Sequence, residues 1–164
     1  MFDDGPKNKS FDSTTIRRSL ETLDLARPIA VEAGSPVSTA IEQMQRNHVG
    51  CALIVRSGKL AGIFTERDLL MKQSGTSNRI GAAIVDDVMT PDPETLRSDD
   101  TIAFALHMMA VGGYRHVPVV DEEGKPIAVI SVKDIIAFIL EHFAQDVLNL
   151  PPTPVRKTSQ REGA

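Results

Sequence analysis

The sequence writes one strand-to-helix junction twice: Gly62-Ile63-Phe64-Thr65-Glu66-Arg67-Asp68, and again Ala128-Val129-Ile130-Ser131-Val132-Lys133-Asp134. In each copy an apolar run ends in a hydroxyl residue and an aspartate follows three positions later. Apolar residues at helical spacing come next: Leu69, Leu70 and Met71, or Ile135, Ile136, Phe138 and Ile139. The duplication extends beyond the junction. Pro36, Val37, Ala40 and Met44 stand 65 residues before Thr101, Ile102, Ala105 and Met109, and Ile54-Val55 stand 65 before Val119-Val120. After the hairpin turn the offset becomes 66, from Thr65 to Ser131 and from Asp68 to Asp134, so the second turn holds one added residue. A steady offset through helix, strand and junction describes a duplicated β-α-β-β-α unit. Neither unit has enough chain to cover both faces of its own sheet, so the two must pack on each other as one domain about a pseudo-two-fold axis.

Composition limits what such a domain can bind. The formal charge of −4 and pI near 5.5 argue against nucleic acid and against anionic membranes, both of which draw on clustered Lys and Arg. With aromatics at 4% and no Trp, the core is built from Val, Ile, Leu, Ala and Met. The single Cys51 has no intrachain disulfide partner, and Met1 to Pro6 lack the features of a signal peptide, so a reducing, cytoplasmic setting is expected. No apolar run approaches the roughly 20 residues of a membrane span.

Along the chain, residues 1–12 read as a disordered tail. Residues 13–78 hold a lead-in helix (Ile16, Leu20, Leu23) and the first repeat, 79–146 the second repeat, and 147–164 a disordered tail containing Pro151-Pro152-Thr153-Pro154. In the first repeat a strand around Pro28 to Val31 precedes a helix opened by Ser35-Pro36 and closed by Gly50. Strands Cys51–Val55 and Leu60–Phe64 flank a tight Ser57-Gly58 turn, Thr65 begins a helix, and a polar linker runs to Asn78. In the second, a short helix from Ile84 to Met89 leads to a strand at Pro93-Glu94-Thr95-Leu96. Asp99 or Asp100 caps a helix that Gly112-Gly113 closes, and strands Arg115–Val120 and Pro126–Ile130 follow, then a last helix from Ser131 to about Gln145.

The doubled Thr/Ser-x-x-Asp fits two roles. As a capping box, the hydroxyl and the aspartate satisfy helix-end N–H groups. As a binding site, the aspartate takes ribose hydroxyls while the hydroxyl and helix N–H groups face a phosphate. Arg115-His116 open an otherwise apolar strand, out of pattern unless they sit at its exposed end, and read either as a solvated strand end or as candidate binding residues, whereas the first half has Gly50-Cys51 there. His48, His107, His116 and His142 show no metal-ligand spacing, and no nucleophile triad or phosphate loop stands out, so neither a metal nor catalysis is expected. Cys51 and Met44, Met89, Met108 and Met109 read as core or, for the methionines, dimer surface.

These motifs resemble the tandem cystathionine-β-synthase (CBS) repeats of a Bateman module. The likeness rests on Pro36-Val37-x-x-Ala40-x-x-x-Met44, on Leu53-Ile54-Val55 followed by Gly62-Ile63-Phe64-Thr65-x-x-Asp68, and on Val88-Met89-Thr90. It also rests on Tyr114-Arg115-His116-Val117-Pro118-Val119-Val120 with Ser131-x-x-Asp134, and it spans about Pro28 to Phe143. One departure is Ala128, where the family usually has glycine, as at Gly62. The resemblance implies an α/β fold of two pseudo-symmetric repeats, and a regulatory homodimer without catalysis that binds AMP, ADP, ATP or S-adenosylmethionine between them. It implies a preferred second-repeat cleft of Asp134, Ser131, His116 and Arg115 backed by Pro28 and Ile29. A weaker first-repeat cleft holds Asp68, Thr65, Cys51, Pro93 and Glu94. Two alternatives stay open: a ligand-free dimerisation scaffold, or a regulatory subunit for a separate effector protein, an enzyme or a transporter.

Overall fold

The computed structural model describes residues 14–73 and 83–142. The expected tails, the linker from Ser74 to Asn78 and the expected helix end near Gln145 lie outside the described residues. The first repeat comprises β1 (Ala30–Glu32), α1 (Val37–Asn47), β2 (Cys51–Arg56), β3 (Lys59–Thr65) and α2 (Glu66–Gln73). The second is preceded by α3 (Val85–Val88) and β4 (Thr90–Pro91) and comprises α4 (Ile102–Gly112), β5 (His116–Val120), β6 (Pro126–Ser131) and α5 (Val132–His142). β1 pairs parallel with β2, β2 antiparallel with β3, and β3 antiparallel with β4. β5 and β6 form an antiparallel hairpin.

Turn chemistry sets both hairpins. Ser57 and Gly58 both have positive φ, 52° and 78°, the two-residue turn whose twist suits a hairpin. In the longer second turn the Asp121 carboxylate accepts from the N–H groups of Glu123 and Lys125, and Gly124 takes φ 81°.

The repeat symmetry is visible in single bonds. Val31 lies opposite Ile54 in β1–β2, and 65 residues on Leu96 bridges Val119 in the same parallel sense. The expected strand from Pro93 to Leu96 is reduced to that one bridge. Leu53 N–H donates to Ile29 O at 2.8 Å, but Pro118 occupies the place of Leu53 and has no N–H to give.

Each repeat's first long helix is finished by the segment that opens the other half. Leu20 N–H donates to Asp100 O (2.8 Å) and Ile102 N–H to Arg18 O (3.0 Å). Their counterparts are Val85 N–H to Ser35 O (2.9 Å) and Val37 N–H to Ala83 O (2.8 Å). The expected lead-in helix is therefore two 3-10 turns, Thr15–Arg17 and Leu20–Thr22, because Ser19 between them is extended and bridges Thr101. Leu20 is buried with Leu96, Ile102 and Ile135 in the second-repeat core, while Val85 and Val88 sit in the first-repeat core with Val37 and Phe64. Asp86 fastens this crossing: its carboxylate accepts from Gly34 N–H and pairs with Arg56, and those contacts hold it below the usual carboxylate range.

Three helix ends differ from expectation. Pro36 is the residue before α1, while the Ser35 carbonyl serves Val85. Thr101 caps α4 by accepting from Phe104 N–H at 3.2 Å, and the Asp100 carboxylate turns back to Arg97 N–H. α1 ends at His48 in the left-handed region (φ 53°), ahead of Gly50, whereas α4 ends at Gly113 (φ 69°) as expected.

β2 is buried on both faces. Ala52 and Ile54 face the helices, while Cys51 and Leu53, with Ile63, form a seam that meets Leu60 and Val129. In β5, Val117 and Val119 face the second-repeat core. The two-residue alternation then puts His116 and Pro118 on the opposite, seam-facing side of that strand.

Candidate ligand-binding clefts

Both junctions form the same reciprocal pair. Thr65 N–H and Oγ1 donate to Asp68 Oδ2 at 2.9 and 2.7 Å, and Asp68 N–H donates to Thr65 Oγ1 at 3.3 Å. Ser131 N–H and Oγ donate to Asp134 Oδ2 at 2.6 and 2.7 Å, with Asp134 N–H to Ser131 Oγ at 3.4 Å. This geometry caps α2 and α5 and so realises the structural role. It uses one carboxylate oxygen of each aspartate, and among the described residues no hydrogen bond uses Oδ1. Each half-buried aspartate thus offers a fixed acceptor edge at a helix start, a shape that suits a diol.

The surroundings of the two junctions differ. In the second repeat His116 lies opposite Ser131 in the β5–β6 register, and Val132 N–H donates to the carbonyl of Arg115, so Ser131, Asp134, Arg115 and His116 come together. Burial holds the His116 imidazole below its ordinary pKa, and Arg115 and Lys133 act in the same direction against the opposing pull of Glu66 and Asp134. Pro28 and Ile29 precede β1, where Ile29 packs on the first-repeat core and its carbonyl takes the Leu53 N–H.

In the first repeat Cys51 lies opposite Thr65 and is buried, and burial together with Glu66 pushes its thiol up to about 12. That thiol stays protonated at neutral pH and supplies neither charge nor nucleophile. Arg67, the nearest cation in sequence, donates to Gly113 O at 3.3 Å. Glu94 accepts from the hydroxyl of Tyr114, whose pKa is pushed up to about 12 by burial and by that carboxylate. The Tyr114 ring lies where a Cβ on Gly112 would fall, so the glycine pair both ends α4 and seats this ring. Pro93 follows β4, which pairs with β3 through Gly62 and Ile63.

Two residues that sequence reasoning left aside matter here. Glu66 sits inside the Thr65-x-x-Asp68 motif, and its Oε2 lies 3.3 Å from where a Cβ on Gly50 would be; His116 Nε2 lies 3.4 Å from the same point. Tyr114 precedes the basic pair and reaches across to Glu94. The signal for Glu66 is the contrast with Val132 at the same place in the second copy. The departure at Ala128 also has a local reason. A Cβ on Gly62 would strike the Met89 side chain and lie 3.0 Å from Thr90 O, because β4 crosses there, whereas the Ala128 methyl packs on the second-repeat core.

A two-copy α/β fold, with each copy finished by the other's opening segment and an aspartate-capped junction in both, defines a class of paired-repeat modules. The CBS domain model matches residues 21–75 and 85–141, and the chain belongs to this family. A CBS domain-containing protein of Arabidopsis thaliana, CBSCBSPB1, is 36% identical over 119 residues, 71% of this chain. That match takes in only 22% of the plant protein, so the chain corresponds to about a fifth of that relative's length. Two solved structures share the fold. The CBS domain pair of protein MJ0100, in complex with 5′-methylthioadenosine and S-adenosyl-L-methionine, has a TM-score of 0.67 at 20% identity over 78% of this chain and 97% of that one. A CBS domain protein from Pyrobaculum aerophilum complexed with AMP has a TM-score of 0.67 at 20% identity over 77% and 98%. Among the described residues no helix is long and apolar enough to cross a membrane.

Proposed function

We propose that this chain is a non-catalytic regulatory module that binds an adenosine-type ligand (AMP, ADP, ATP or S-adenosylmethionine) in the second-repeat cleft and signals occupancy by a change of shape or assembly. The observation that carries the reading is Asp134: Ser131 fixes its carboxylate through one oxygen, the other makes no hydrogen bond among the described residues, and Arg115 and His116 stand beside it. Asp134 takes the ribose hydroxyls, Ser131 and the start of α5 face the anionic end with Arg115 and His116, and Pro28 and Ile29 back the base. The bound adenosine compounds of the two structural neighbours support this ligand class. The first-repeat cleft, with Asp68, Thr65, Cys51, Pro93 and Glu94, is the weaker site. Its cation Arg67 and its carboxylate Glu94 are already engaged by Gly113 and Tyr114. The module acts in the cytoplasm as a homodimer and passes its signal to a separate effector protein.

A thermal-shift panel of adenosine, AMP, ADP, ATP and S-adenosylmethionine tests this. At 100 times Kd, linkage adds about 2.7 kcal/mol of stability. Asp134→Ala should abolish the ligand-induced shift and Asp68→Ala should leave it. A second reading, a ligand-free dimerisation scaffold, is favoured by the completeness of the two caps, each of which closes its bonds within the motif. A panel in which no compound shifts the wild-type protein would select it.

A further inference from the structure

Resting on the ligand reading above, we infer that Glu66, contributed by the first repeat, sets the charge accepted by the second-repeat cleft, disfavouring each phosphate added to an adenosine-type ligand. The geometry is a corner shared between repeats. Glu66 Oε2 and His116 Nε2 both approach Gly50, at 3.3 and 3.4 Å from its absent Cβ. The carboxylate and the imidazole are therefore at most about 7 Å apart, inside the roughly 8 Å over which salt screens a charge at physiological strength. A side chain at position 50 would occupy the meeting point, so the glycine keeps the corner open.

The charged groups that act on His116 are Arg115 and Lys133 from its own repeat, Asp134 at the start of α5, and Glu66 from α2. The fixed charges cancel, two cations against two carboxylates, before any ligand enters. Asp134 is tied to Ser131, while the Glu66 side chain makes no hydrogen bond or ion pair among the described residues and stands exposed, its backbone N–H donating to Gly50 O at 3.1 Å. Its charge is free to act on whatever anion approaches Arg115 and Lys133. The corresponding residue of the second repeat is Val132, so the second repeat contributes no such carboxylate, and Glu66, which also acts on Cys51, is the one the two clefts share. A corner balanced in this way holds the ribose without drawing in a polyphosphate, and it favours adenosine, a monophosphate or a sulfonium over a triphosphate.

Glu66→Gln removes the charge at an exposed position and keeps the shape. Binding of adenosine, AMP and magnesium-free ATP is measured by calorimetry on both proteins at low and at physiological salt. Adenosine affinity should stay unchanged, AMP should bind about threefold and ATP about tenfold more tightly to the variant, the size of a Coulomb interaction at this distance in water, and the gains should shrink with salt. In parallel, NMR follows the His116 imidazole without ligand; its titration should move to lower pH in Glu66→Gln. Equal changes for all three compounds, no change for the nucleotides, or an unmoved His116 titration would overturn the inference. If no compound binds either protein while the His116 titration still moves, the ligand reading has failed and the selectivity falls with it, although the electrostatic contact stands.

Discussion

Asp68 and Asp134 each commit Oδ2 to the hydroxyl residue before a helix, so replacing either removes a cap as well as a carboxylate and costs about 1 kcal/mol with or without ligand. This double role is why the sequence left the two readings of Thr/Ser-x-x-Asp open: one residue pattern serves both. The neighbours of the two junctions differ, and the contrast of Gly50-Cys51 with Arg115-His116 is legible in the sequence. That His116 lies on the face of β5 turned toward the first repeat is seen in its approach to Gly50, on the side of the strand opposite Val117 and Val119. Its burial has a consequence in pH. The folded state holds the imidazole below 6.5, so as pH falls the unfolded chain takes up a proton that the folded chain refuses, and stability declines from about pH 6.5 downward. Wild-type melting temperature should therefore fall more steeply between pH 7 and pH 5 than that of His116→Gln. Parallel curves would place the dependence on other groups.

At the scale of elements, the lead-in segment belongs structurally to the opposite repeat. Sequence spacing shows Ile16, Leu20 and Leu23 as apolar residues that need a partner, and from spacing alone the adjacent first repeat is the natural one. The structure sends Leu20, 1% exposed, into the second core, because the N–H of Leu20 and the carbonyl of Arg18 bond to the start of α4. Leu20→Ala should cost about 2–5 kcal/mol in urea unfolding, the usual range for emptying a buried leucine site. Hydrogen exchange should then quicken first in α4, β5 and β6. Faster exchange confined to β1, β2 and β3 would contradict the crossing. The shortened strand at Leu96 has a simpler origin, since a proline at position 118 withdraws one ladder donor and is visible in the sequence. Its effect could be read only once Leu53 and Ile29 were seen bonded in the other copy.

For the molecule as a whole, apolar side chains remain on the outside of three helices: Leu70 on α2, Phe104 on α4, and Ile136 and Leu140 on α5, exposed by 69%, 47%, 50% and 43%. The expected homodimer would cover such surface. Sedimentation at micromolar concentration should give a dimer that Ile136→Glu weakens, and a wild-type protein that stays monomeric would refute it. The sequence by itself determined the duplication, the order of the long helices and hairpin strands within each repeat, most of the core and the hydroxyl–aspartate pairs. All of these are written in offsets and periods that repeat along the chain, and a periodic burial pattern needs no knowledge of distant residues. Only the tertiary structure decided that each opening segment crosses to the other repeat, that Tyr114 engages Glu94, and that Glu66 meets His116 over Gly50. Glu66 and His116 are 50 residues apart, and what joins them is the packing of one sheet's seam on the other, a geometry that no local pattern encodes.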